Sequence, residues 1–102
     1  MKECCRVHLN EQFGGDADTV ASIYAMYVES VGEKLAEVKD ALAAGDWGKL
    51  DVAAHTIKGN ALSAGDTPMA DVAIALRNAA KLQEKGTAAS LAARIESLSA
   101  TL

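Results

Sequence analysis

With 102 residues, 50% of them hydrophobic, the chain has the length of one domain with a modest core, spanning residues 1–102, and no room for a nucleotide site beside a substrate domain. A formal net charge of -4 excludes the clustered basic surface that nucleic-acid binding requires. No apolar run approaches the roughly 18 to 20 residues that span a bilayer, and the Met-Lys-Glu-Cys-Cys start lacks a long apolar leader segment, so a cytoplasmic protein without membrane contact is expected.

Aromatic residues make up only 4% of the chain, which leaves the core to Ala, Leu, Val and Ile, a mixture suited to close helix packing. Glycines at Gly14-Gly15, Gly45, Gly65 and Gly86 divide the chain, each followed by a residue able to cap a new helix. Residues 1–13 read as a short helical segment folded over the bundle end, with Val7, Leu9 and Phe13 as its apolar residues. Cys4 and Cys5 are adjacent, which strains any disulfide between them, and no other thiol is available, so free thiols in a reducing compartment are expected. With His8 they form Cys-Cys-x-x-His; no fourth ligand is evident, and no metal site is assigned there.

From Asp16 to Ala44, Val20, Tyr24, Tyr27, Val31, Leu35, Val38 and Leu42 recur at intervals of three and four, the stripe of a long amphipathic helix. Asp16 or Asp18 caps its start, Gly45 ends it, and Gly32 marks a bend. A second long helix begins after Asp46 and carries Trp47, Leu50, Ala54, Ile57, Ala61 and Ala64 on its buried seam. Thr67-Pro68 opens a third, with Thr67 as cap and Met69, Val72, Leu76, Ala79 and Ala80 at core spacing. Gly86 stops it, and Thr87 caps a last helix carrying Leu91, Ile95, Leu98 and Leu102. No period-two strand pattern competes, and the short loops make successive helices antiparallel. The expected fold is therefore all-α: an antiparallel up-and-down four-helix bundle with a short N-terminal helical segment.

On the second long helix, His55 points away from the apolar seam, together with Gly48, Asp51, Val52, Lys58, Gly59 and Leu62. Gly59 costs about 1 kcal/mol relative to alanine in a helix interior, so its lack of a side chain points to a partner or ligand approaching beside the imidazole. Lys58 places an ammonium near the same space, suited to neutralising an anion on or near His55.

The segment Ala54-His55-Thr56-Ile57-Lys58-Gly59-Asn60-Ala61, continuing to Gly65, resembles the His-x-hydrophobic-Lys-Gly signature of histidine phosphotransfer (HPt) domains, including the glycine ten residues after the histidine. The similarity extends to Phe13-Gly14-Gly15-Asp16 before the long helix and Ala43-Ala44-Gly45-Asp46-Trp47 before the histidine helix, and so covers nearly the whole chain. Two positions depart: Asn60 stands where many members have Ser, and Gly32 where many have Pro or another residue.

The resemblance implies a phosphocarrier without kinase activity of its own. His55 is then the phosphoacceptor, exchanging a phosphoryl group with an aspartate of a response-regulator receiver domain, and Lys58 stabilises the phosphate. Gly59 is the close-approach position, Asn60 a candidate for orienting the imidazole, and Val52 and Leu62 apolar docking residues, joined by residues of the first half of the long helix. The chain holds no cofactor of its own in this reading; Mg²⁺ sits on the receiver, and an upstream sensor or hybrid histidine kinase supplies the phosphate. The resemblance also implies a monomer. No Walker-type loop or catalytic triad is present. Two rival readings are a helical adaptor or dimerisation module in which His55 is incidental, and a pseudo-transfer domain that binds receivers without accepting phosphate.

Overall fold

The structure, a computed structural model, describes residues 1–102 and contains five helices and no strand: α1 (Glu3–Gln12), α2 (Ala17–Ala44), α3 (Trp47–Ala64), α4 (Thr67–Lys81) and α5 (Lys85–Ala100). α2 packs on α3, α3 on α4, α4 on α5 and α5 back on α2, which closes a ring of four antiparallel helices. The expected all-α bundle is what the chain forms. No helix is long and apolar enough to cross a membrane.

The stripes read from the sequence are the ones that face inward, with adjustments at their edges. Val20, Tyr24, Tyr27, Val31, Leu35 and Val38 of α2 are buried, but Ala41 completes the stripe and Leu42 is only half-buried. In α3 the seam is Leu50, Ala53, Ala54, Ile57, Ala61 and Ala64, with Trp47 half-buried at its start. Alanine at four of those six positions lets the neighbouring helices approach closely. The α4 core matches expectation and adds Ala70 and Ala73, while α5 buries Ala88, Ala92 and Ile95 and leaves Leu91, Leu98 and Leu102 at the core's edge.

Helix ends follow one device used three times. After α2, α3 and α4 the chain turns through a left-handed residue, Gly45, Gly65 and Gln83, whose N–H returns to a carbonyl three residues back. The next N–H, of Asp46, Asp66 and Glu84, returns to the carbonyl five residues back, which satisfies the orphan carbonyls of the last turn. The third instance corrects the expected break: Gly86 lies inside α5, and the turn falls at Gln83. Thr87 accordingly does not cap α5; Glu84 occupies that position.

Asp16 and Asp46 cap α2 and α3 as expected, their carboxylates accepting from Asp18 and Thr19 N–H and from Lys49 N–H respectively. At α4 the cap lies one residue before Thr67. Asp66, fully buried, accepts from the Met69 N–H at 3.3 Å, from the Tyr27 hydroxyl at 2.6 Å and from Lys2 Nζ at 2.9 Å. A carboxylate with three donors on three elements outcompetes the local threonine, and it ties the start of α4 to α2 and to the residue preceding α1.

α1 is a full helix that packs against α2 and α3. Its buried residues are Cys5 and Leu9, whereas Val7 and Phe13, expected to face the bundle, are exposed. Cys5 precedes Leu9 by four residues, so the pair makes one inward stripe, and Val7 lies on the opposite side of the same turn.

Candidate functional site

α3 presents His55 outward from the middle of its length. The buried seam fixes the rotation of the helix, because Ala54 and Ile57 are fully buried on either side of the histidine in sequence. His55 is exposed and is engaged in no hydrogen bond or ion pair with the rest of the chain. Both nitrogens of the ring therefore remain open to a partner.

Around it, the six residues expected on the same face divide toward two neighbours. On the α4 side lies Asp51, one turn before His55, and Arg77 of α4 donates from Nε to its Oδ1 at 3.0 Å. Lys58 is half-buried on the same side and forms no ion pair, which leaves its ammonium available. On the α2 side, Gly59 is exposed, and a side-chain carbon placed there meets no atom within 4 Å. The position faces solvent, as Gly32 and Gly86 also do.

Asn60 serves a different direction from the one expected. Its Nδ2 donates to Ser30 Oγ on α2 at 2.6 Å, so the amide joins two helices and makes no bond to the imidazole. Asn60 and Ser30 line a shallow groove of about 300 Å³ between α2 and α3, together with Ile23, Met26, Tyr27 and Ser63. The groove begins at Asn60, about 8 Å from His55 along the helix axis at 1.5 Å per residue.

Apolar side chains ring this face. Val52 is 67% exposed, Leu62 54% and Met26 67%, a degree of exposure that an isolated bundle does not need. Val52 and Leu62 were expected there. Met26 was anticipated only as some residue from the first half of α2, because nothing in its own spacing says which α2 residues lie beside the α3 groove.

The Asp51–Arg77 pair and the Asn60–Ser30 bond were not legible in the sequence. The only available signal for the first was that Asp51 precedes His55 by one turn; its partner is 26 residues away on another helix. No nitrogen or oxygen atom of a buried side chain lacks a hydrogen-bond partner.

In electrostatic terms the face carries an exposed imidazole flanked by one unpaired ammonium, Lys58, and by a carboxylate, Asp51, already paired with a guanidinium.

A family model described as Hpt domain matches residues 22–102, from the second turn of α2 to the end of the chain. No curated protein and no solved structure matches the chain.

Proposed function

The chain belongs to the Hpt domain family, which gives it a phosphotransfer role in two-component signalling, and we propose that His55 is the residue that carries the phosphoryl group. The observation that supports this most is the combination of an exposed, unbonded imidazole with the open space at Gly59 one turn along the same face.

In the proposed reaction a lone pair on an imidazole nitrogen of His55 attacks the phosphorus of an aspartyl phosphate on a receiver domain. The N–P bond forms as the acyl O–P bond breaks, and the receiver's carboxylate leaves; the reverse step passes the group on. The attack uses the lone pair of an unprotonated ring nitrogen. Transfer of this kind depends on positioning and charge neutralisation more than on covalent chemistry from the protein. Lys58 supplies one positive charge to the phosphoryl oxygens. The receiver brings Mg²⁺, which offsets the rest of the developing charge.

Docking in this reading uses Val52, Leu62 and Met26 around the histidine, with the Asn60-lined groove continuing the surface along α2. Gly59 lets the receiver's backbone approach the imidazole. The protein acts as a cytoplasmic monomeric carrier between an upstream sensor or hybrid kinase and a response regulator.

The test is incubation with a phosphorylated receiver domain and Mg²⁺, followed by intact-mass measurement of an acid-labile, base-stable adduct on wild type and on His55→Gln. The expected result is one phosphoryl group on wild type and none on the variant. Equal labelling of both removes His55 as acceptor. No labelling from any receiver favours the adaptor reading, which has no observation of its own here.

A further inference from the structure

A second cluster of chemically able side chains lies at the opposite functional address, the end of the bundle that α1 covers. Cys4 Sγ, Cys5 Sγ and a carboxylate oxygen of Asp66 all lie within 4.8 Å of one another. Cys5 and Asp66 are fully buried and Cys4 is partly exposed, so the cluster opens to solvent on one side only. In sequence the two thiols pair more naturally with His8, but the fold turns the set toward Asp66, 61 residues beyond Cys5.

We propose that Cys4, Cys5 and Asp66 form a Zn²⁺ site, with two thiolate sulfurs, one carboxylate oxygen and a water in tetrahedral array. Two thiolates select a borderline-soft ion over Mg²⁺ or Ca²⁺, and the carboxylate favours Zn²⁺ over Cu(I). The position already holds a positive charge: Lys2 Nζ sits 2.9 Å from Asp66 Oδ1, with the Lys2 side chain 18% exposed. Zn²⁺ displaces that ammonium into solvent. Each thiol releases its proton to solvent as its sulfur bonds the ion, and the centre is left with a single net negative charge.

The rest of the site is arranged as metal sites are. Asp66 Oδ2 accepts from the Tyr27 hydroxyl and Oδ1 from the Met69 N–H, and these two bonds fix the carboxylate's orientation. Thiolate ligation releases one proton from each cysteine, so binding weakens as pH falls. Asp66 lies beyond the end of α3, whose last residue, Ala64, is about 14 Å along the helix axis from His55, so the ion fastens α1 to the bundle and takes no part at the histidine.

The experiment titrates Co²⁺ into reduced, untagged full-length protein and follows absorption, then adds Zn²⁺ in competition. Expected is a 1:1 complex with thiolate-to-cobalt charge-transfer bands in the near ultraviolet, displaced by one equivalent of Zn²⁺. Cys4→Ser, whose side chain is not part of the deep core, folds with wild-type helicity and binds at least about ten-fold more weakly. Lys2→Ala binds several-fold more tightly, because the competing ammonium is gone. Absence of thiolate bands, or binding that is indifferent to both Cys4→Ser and Lys2→Ala, overturns the site.

Discussion

Arg77 of α4 donates to Asp51 of α3 at 3.0 Å, one helical turn before His55. The pair has a consequence for any phosphoryl group placed on that histidine. An unpaired carboxylate at roughly 8 Å opposes each unit of phosphate charge by about 1 kcal/mol at an effective dielectric near 40. Arg77→Ala should therefore slow phosphorylation of His55 by about five-fold or more while changing stability by less than about 1 kcal/mol. The double variant Asp51→Asn/Arg77→Gln, which removes both charges, should recover most of the rate. Quench-flow or radiolabel transfer measures the rates; a double variant as slow as Arg77→Ala refutes the charge-cancelling role.

Gly59 separates the needs of the free protein from those of the complex. With no atom within 4 Å of a side-chain carbon there, Gly59→Ala should stabilise α3 by about 0.5–1 kcal/mol in urea unfolding. Gly59→Leu should slow transfer from a receiver at least about ten-fold, as a bulky group at the point of approach spoils reacting geometry. The same variant should react normally with phosphoramidate, a small phosphodonor that needs no docking surface. Equal loss with both donors places the defect in the histidine and not in docking.

Tyr27 donates to a buried carboxylate, and Tyr27→Phe removes the donor without changing the shape of the core. The expected loss is about 1.5–3 kcal/mol, the range for a hydrogen bond to a charged group, read by denaturant unfolding. Burial, and then the bond to Asp66, push the Tyr27 phenol above its ordinary range. A raised folded value keeps its contribution whole below the unfolded value near 10 and loses it as pH rises above that. Wild type should therefore lose stability above about pH 10 more steeply than Tyr27→Phe.

Asp16 works with the opposite sign. The Thr19 N–H and hydroxyl, and the Asp18 N–H, hold its carboxyl below the usual range. Its contribution is present above the unfolded value near 4 and fades as pH falls through the lower folded value. Amide exchange at the first turn of α2 should quicken below about pH 4 in wild type, and Asp16→Asn should show a flatter pH response there. A pH response unchanged in the variant removes the carboxylate as its cause.

Gln83 occupies a left-handed turn, φ 54°, that Gly45 and Gly65 fill elsewhere. An L side chain in that region costs about 1–2 kcal/mol, so Gln83→Gly should raise stability by roughly 1 kcal/mol after the entropy of the added glycine is offset. Thermal unfolding measures it; a fall in midpoint shows that the Gln83 side chain holds contacts worth more than the strain.

The same residue explains where sequence reading succeeded and where it did not. Val20 to Val38 and Leu50 to Ala64 repeat over several turns, and so many regularly spaced apolar residues leave one rotation for the helix and place His55 outside. Gln83 carries no such signal, and Gly86 nearby is a stronger local one; the turn fell where α4 had finished packing. Asp66 displaced Thr67 as cap for a non-local reason, since two of its three donors come from Lys2 and Tyr27. On the candidate face, the placement of His55, Lys58 and Gly59 to one side of α3 was readable because all three sit on one helix. Arg77 and Ser30 were not, because their roles depend on which helix lies alongside.

α2 has 28 residues where its partners have 15 to 18, and the Tyr27–Asp66 and Asn60–Ser30 bonds set the pairing of α2 with α3 so that the first ten or so residues of α2 extend past the end of α3. α1 folds back over that extension, burying Cys5 and Leu9 completely, yet neither residue lies in the stretch that matches the family. The recognisable domain and the unit that folds thus have different borders. A fragment trimmed to residues 22–102 for expression keeps every residue of the histidine face and loses α1, its buried Cys5 and Leu9 and the Lys2–Asp66 pair, so it should aggregate or melt early while its phosphotransfer chemistry stays encoded intact.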